Sequence, residues 1–95
     1  MLCKEIQPRM GKIEFSGKII DKEEVREFEK FGKTGRVCNV ICEDQDGDKI
    51  KVTLWNDEID KVNVGDKIKI INGYCSEFQG EKQLSAGKYG KLEVL

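Results

Sequence analysis

From Ile13 onward the chain alternates between apolar and polar positions. Ile13, Phe15, Gly17 and Ile19 fall on one face, and Glu14, Ser16 and Lys18 on the other. A period of two marks a half-buried strand. The pattern returns over Arg36–Glu43, where Cys38, Val40 and Cys42 oppose Val37, Asn39 and Ile41. It is cleanest over Lys49–Trp55, where Ile50, Val52 and Leu54 oppose Lys51, Thr53 and Trp55. A fourth strand is predicted over Lys67–Tyr74, with Ile68 and Ile70 inward. A fifth is divided between Gln83–Ala86 and Lys91–Leu95, with a break near Gly87–Gly90.

The connections carry their own signals. Asp46-Gly47, inside Asp44–Asp48, is a hairpin dipeptide whose glycine supplies positive φ. Asn56-Asp57 offers a helix cap, and Asp57–Val62 has room for one or two helical turns. Val64-Gly65-Asp66 reads as a turn, Phe31–Gly35 as a loop, and Glu77–Lys82 as a polar loop around Gly80. Asp21–Lys30 has only Val25 and Phe28 as apolar anchors, too thin a face for a packed helix. It is expected to continue or bend the first strand, with Phe28 joining Phe15 in the core. Residues 1–11 form a lead-in, and Pro8, the only proline, marks an extended entry. The order is strand, strand, strand, short helix, strand, strand. The expectation is an all-β chain: a five-stranded antiparallel sheet closed into a barrel, because closure removes unpaired edges. The OB-fold barrel, with its short helix between strands 3 and 4, has this layout.

Composition narrows the function. Ninety-five residues allow one domain, here 1–95. No apolar run approaches the ~20 residues of a membrane helix, so no membrane role is expected. Seventeen basic residues against 18 acidic ones argue against binding nucleic acid by bulk charge, although a local basic path remains open. There is no histidine, which removes Ser–His–Asp and Cys–His catalysis. Cys3, Cys38, Cys42 and Cys75 form no CxxC pair. Cys38 and Cys42 lie roughly 13 Å apart on one strand at ~3.3 Å per residue, too far for a disulfide or a shared ion. They are expected to be small buried hydrophobes, and unpaired thiols fit a reducing cytoplasm. No metal, cofactor or catalytic residue is expected. With no glycine-rich phosphate loop and no evident carboxylate pair, the chain reads as a binding module and not an enzyme.

Longer stretches resemble a known family. Glu5-Ile6-Gln7-Pro8-Arg9-Met10 and Phe15-Ser16-Gly17-Lys18-Ile19-Ile20 resemble the entry and first strand of archaeal single-stranded DNA-binding proteins. Arg26-Glu27-Phe28 is similar to that family's motif ahead of its first loop, and Lys49–Trp55 to its third strand. Val64–Ile68 with Ile71–Tyr74, and Gln83–Gly87, are similar to its fourth and fifth strands. The resemblance covers nearly the whole chain and extends to the archaeal replication protein A group. It implies an OB fold, a cytoplasmic role in genome maintenance, and base-stacking aromatics at Trp55, Tyr74 and Phe78. Some relatives add a zinc module or an acidic tail that this chain does not carry, so it reads as one OB unit of a longer protein.

A single-strand binder needs flat π-surfaces for bases and cations along the phosphates. Alternation turns Trp55 outward, and Lys51 shares its face. Phe78 and Tyr74 lie in and beside the loop after strand 4. Lys30, Lys33 and Arg36 flank the loop after strand 1, and Lys82 and Lys88 lie near the other loop. Acidic residues gather at the strand 2–3 hairpin (Glu43, Asp44, Asp46, Asp48) and the helix (Asp57, Glu58, Asp60). A basic groove on a bipolar molecule is the expectation. The expected partner is single-stranded DNA; RNA is not separated from it, because stacking and phosphate contacts ignore the 2′-hydroxyl. The same face would also serve a protein-interaction OB module meeting other OB domains or replication proteins.

Overall fold

The computed structural model describes residues 2–86 and 90–95; the expected break near Gly87 and the position of Lys88 lie outside them. After a 3-10 turn over Cys3–Glu5 come β1 (Ile13–Lys22), β2 (Arg26–Lys30), β3 (Lys33–Glu43) and β4 (Lys49–Trp55). Then follow α1 (Asp57–Asp60), β5 (Lys67–Phe78), β6 (Glu81–Ser85) and β7 (Lys91–Val94). The expected strands are present as β1, β3, β4, β5 and β6, with β7 a separate piece on β5. Pairing runs β1-β3-β4-β6-β5 and returns to β1 through a β1–β5 ladder.

An all-antiparallel sheet was the wrong expectation, since β4 and β6 pair in parallel. The connectivity requires it. β1 is antiparallel to both β3 and β5, so those two run the same way. Their hairpin partners β4 and β6 both run the opposite way. Where those partners meet, they must be parallel.

Alternation holds along β3 and β4, while β5 shifts phase at Asn72, with Ile68 and Ile70 buried before it and Gly73 and Cys75 after it. Phe15, Ile19, Cys38, Val40, Cys42, Val52, Leu54, Ile68, Ile70, Cys75 and Leu84 are buried together in one core. All four cysteines are free and buried. Burial pushes the Cys42 thiol up to about 12, so it stays protonated as a small hydrophobe. β1 slips register between Ile19 and Asp21. A bulge reverses which residues face inward, and Lys22 turns towards α1. Its Nζ donates to the Ile59 and Val62 carbonyls at 2.9 and 3.0 Å. Helix α1 is four residues long, shorter than the expected Asp57–Val62, although Ile59 and Val62 are both buried. Asn56 makes no side-chain cap; its Oδ1 accepts from the Arg36 backbone N–H at 3.0 Å.

Asp21–Lys30 does bend and continue the first strand: after a break at 23–25 it resumes as β2 along the same neighbour, pairing β3 from Arg26↔Val37 to Lys30↔Lys33 where β1 left off at Lys22↔Val40. Two other expectations fail for one reason: the hairpins are longer and their turns tighter than the loops proposed. Phe31–Gly35 therefore shrinks to the two-residue turn Phe31-Gly32. Glu77–Lys82 likewise shrinks to Gln79-Gly80, between Phe78 of β5 and Glu81 of β6. Both turns have positive φ at both residues (53° and 74°; 51° and 81°). That is the type I′ geometry that matches strand twist.

The lead-in is tied down beside the β3–β4 hairpin. Cys3 and Ile6 join the core. The Cys3 N–H donates to Asp44 Oδ2 at 2.8 Å, while Asp44 Oδ1 accepts from Asp46 and Asp48 at 2.9 and 3.0 Å. These bonds, led by the one from Cys3, hold the Asp44 carboxyl below its ordinary range.

Candidate nucleic-acid interface

The two tight hairpins stand on either side of a groove of about 1210 Å³. That exceeds the ~300–1,000 Å³ of a typical small-molecule pocket, a size suited to a polymer. The floor is the outward face of β3 and β4, with Val37, Asn39, Lys51, Thr53 and Trp55. Arg26, Phe28 and Lys30 of β2 form one wall, and Phe78, Gln79, Glu81 and Gln83 of the β5–β6 hairpin the other.

Trp55 is 41% exposed and Phe78 60% exposed, as the outward phase of β4 and the end of β5 require. Phe28 is a correction. It was expected in the core, yet it is 37% exposed and meets Trp55 edge to face, with centroids 5.7 Å apart at 86°. Its place follows from β2. Phe28 pairs with Gly35, where any Cβ would run into the Phe28 ring, so only a bare backbone lets the ring lie across β3. Tyr74 is exposed on the same outward face, but the register Thr53↔Ser85↔Tyr74 sets it beyond β6, outside the groove lining. Phe31, at the tip of the β2–β3 hairpin, is 92% exposed.

The cations divide in three ways. Lys30 and Lys33 face one another across the hairpin end, both exposed, with Lys30 Nζ 5.6 Å from the Phe31 ring centroid. Lys51 is on the groove floor but lies 3.3 Å from Glu81 and 3.8 Å from Glu23. Arg36 and Lys82 are engaged elsewhere. Arg36 donates to both Asp60 oxygens at 2.7 and 3.2 Å and to the Asn56 carbonyl. The Asp60 bond raises the guanidinium's pKa and lowers that of the carboxyl. Lys82 Nζ donates to the Cys3 and Ile6 carbonyls at 3.2 and 2.9 Å, pinning the lead-in.

A simply basic groove is therefore the second correction. Glu23, Glu24, Glu27 and Glu81 line it alongside only Arg26, Lys30 and Lys51. The acidic residues are not segregated as the sequence suggested, because the break after β1 carries Glu23 and Glu24 onto the groove. Sequence reasoning missed Phe28, Arg26 and Asn39. The available signals were the spacing of Arg26, Phe28 and Lys30, which puts all three on one face, and a Phe-Gly dipeptide short enough to close a hairpin. Among the described residues no cluster of His, Cys, Asp or Glu could hold a metal.

The model of the family described as single-stranded DNA binding protein Ssb-like, OB fold, matches residues 6–94. The chain is 25% identical over 87 residues to the single-stranded DNA binding protein Ssb of Saccharolobus solfataricus, covering 92% of this chain and 58% of that protein. It is 31% identical over 89 residues to replication factor A of Methanothermobacter thermautotrophicus, covering 93% of this chain but 11% of that much longer protein. In architecture it is similar to the second OB-fold domain of replication protein A from Methanococcus maripaludis. That likeness has a TM-score of 0.78 at 20% identity and covers 100% of this chain and 93% of the other. With all of the described strands inside the matched span, this chain belongs to the Ssb-like family of OB-fold single-stranded DNA-binding proteins.

Proposed function

We propose that the chain is a non-enzymatic OB module that binds single-stranded DNA in the groove between its two hairpins, during replication, repair or recombination. The observation that carries this reading is the gathering of Trp55, Phe28 and Phe78 as exposed rings along one open groove. Base stacking on aromatic faces tolerates any sequence, since every base has a π-face. Tyr74 extends the platform one strand beyond the groove. Arg26, Lys30 and Lys33 meet phosphates at the rim, while Lys51 is partly neutralised by its carboxylates. We read the return of the sheet to β1 as closure into the small OB barrel, which holds the floor of the groove rigid.

Family membership and the single-strand binding of its Saccharolobus relative support the same reading. The balanced charge of the groove favours a second one, docking of a partner OB domain or replication protein on these aromatics. One titration separates them. Oligo-dT, oligo-rU and duplex DNA are added in turn, and the fluorescence of Trp55, the only tryptophan, is followed. Saturable quenching by oligo-dT with little response to duplex is the expected result. No response to any oligonucleotide at low salt would transfer the site to a protein partner.

A further inference from the structure

Asn39 of β3 and Thr53 of β4 are direct cross-strand neighbours on the groove floor. Thr53 Oγ1 donates to Asn39 Oδ1 at 2.9 Å. A threonine has a restricted χ1, and both side chains are half-buried, so the pair is held in place. The amide stands with its oxygen towards this hydroxyl, and the bond sets what the side chain has left to offer. It occupies Oδ1 and leaves Nδ2, a donor of two hydrogens, with no protein partner among the described residues. The pair is one step of two residues from Trp55 along β4, about 7 Å at strand spacing, and on the same face.

The surroundings select what this donor meets. Glu23 hydrogen-bonds to the Asn39 backbone carbonyl through its own N–H, and its carboxylate lines the groove with that of Glu24. Glu23 lies 3.8 Å from Lys51 of the floor and offsets its charge, which leaves phosphate to the rim cations Lys30 and Lys33. A base stacked at Trp55 then turns an edge to the floor. A free asparagine reads adenine through Oδ1 and Nδ2 together. With Oδ1 held by Thr53 that pairing is disfavoured, and a lone donor suits a base carbonyl such as those of thymine.

We infer that the Asn39–Thr53 pair is a base-edge reader. Asn39 Nδ2 donates to a base carbonyl, and Thr53 is the positioning residue that engages Oδ1. This rests on the single-strand reading above and predicts a preference within it for thymine over adenine. The test compares oligo-dT with oligo-dA of equal length on the full chain, with Asn39→Ala and Thr53→Val as variants. Differences in strand stiffness between the two oligonucleotides are common to all three proteins and cancel between them. Loss of one hydrogen bond should lower the dT/dA affinity ratio about three- to tenfold in Asn39→Ala. Thr53→Val, nearly isosteric, should lower it as well, partly by raising dA affinity as Oδ1 is freed. If Asn39→Ala does not fold, Thr53→Val carries the test. Ratios within twofold of the unaltered chain in the folded variants would overturn the reader while leaving single-strand binding intact. Failure of the unaltered chain to bind either oligonucleotide would overturn both.

Discussion

Lys82 and Lys33 are the same residue type in opposite situations. Lys82 ends on two backbone carbonyls of the lead-in, beside the buried Cys3 and Ile6 and an Asp44 carboxylate that satisfies three N–H groups. Lys33 stands at the tip of a hairpin next to a fully exposed phenylalanine, with no ion pair among the described residues. At the lead-in end the polar groups have partners and the apolar ones are covered. At the groove, rings are left open, and Lys30 and Lys33 have no ion pair among the described residues. Folding alone explains the first arrangement. The second has exposed apolar surface that folding gives no reason to keep, and that is where a ligand is to be sought.

The sharpest way to break this contrast is to damage the closed end and ask whether the open end notices. Ile6 is fully buried, so Ile6→Ala should lower stability by about 2–5 kcal/mol. A melting curve measures the loss, and oligonucleotide affinity per folded molecule should not move. A matching loss of affinity would show that the lead-in shapes the groove. The same end should be acid-sensitive. The carboxyl of Asp44 is lowered in the folded chain, so its stabilisation is present above the ordinary aspartate range and is lost as pH falls through the depressed value. Asp44→Asn should remove that part of the pH dependence, read as a flatter melting temperature between neutral and acid pH.

The open end should answer in the reverse sense. Trp55→Ala should weaken single-strand binding by roughly 1–3 kcal/mol, the cost of one base–aromatic stack, with little change in melting temperature. A large drop in melting temperature at unchanged affinity would class Trp55 with the core. Phe28→Ala tests the ring that joined Trp55 through β2. The ring meets Trp55 edge to face and lines the groove, so a loss of affinity smaller than for Trp55 is expected. No loss would make Phe28 only a cover for β3.

How much could be read beforehand follows the same division. β1, β3, β4 and the first part of β5 were legible because each has one face in the core, and burial imposes the period of two on residues such as Ile50, Val52 and Leu54. β2 was not, because all five of its residues are exposed and no inside-outside rhythm is written into Arg-Glu-Phe-Glu-Lys. Phe28 was then assigned to the core by residue type, the default for a lone phenylalanine. Arg36 and Lys82 looked no different from Lys33, because a long cation's partner is set by what tertiary structure brings beside it. Of the residues proposed from sequence, Trp55, Phe78, Lys30 and Lys51 line one groove, and the register explains why Tyr74 lies outside it. The parallel β4–β6 contact came from connectivity, which periodicity does not encode.

The smallest expected effect bears most directly on the charge of the groove. Binding to phosphates releases counterions, so log affinity falls linearly with log salt, by about 0.7 per phosphate neutralised on a single strand. A basic groove using every candidate cation would give a steep line. Here Arg36 is held by Asp60, Lys82 by the lead-in, and Lys51 by Glu23 and Glu81. That leaves Arg26, Lys30 and Lys33, and about two or three contacts predict a slope of about −1.4 to −2.1. Lys33→Ala should flatten it by about 0.7 whatever the base sequence. Arg36→Ala should leave the slope alone and lower the melting temperature instead, since it removes a tie between β3 and α1. Equal flattening by Arg36→Ala and Lys33→Ala would mean that the strand breaks the Asp60 pair as it binds, and the division between closed and open cations would then hold only for the free protein.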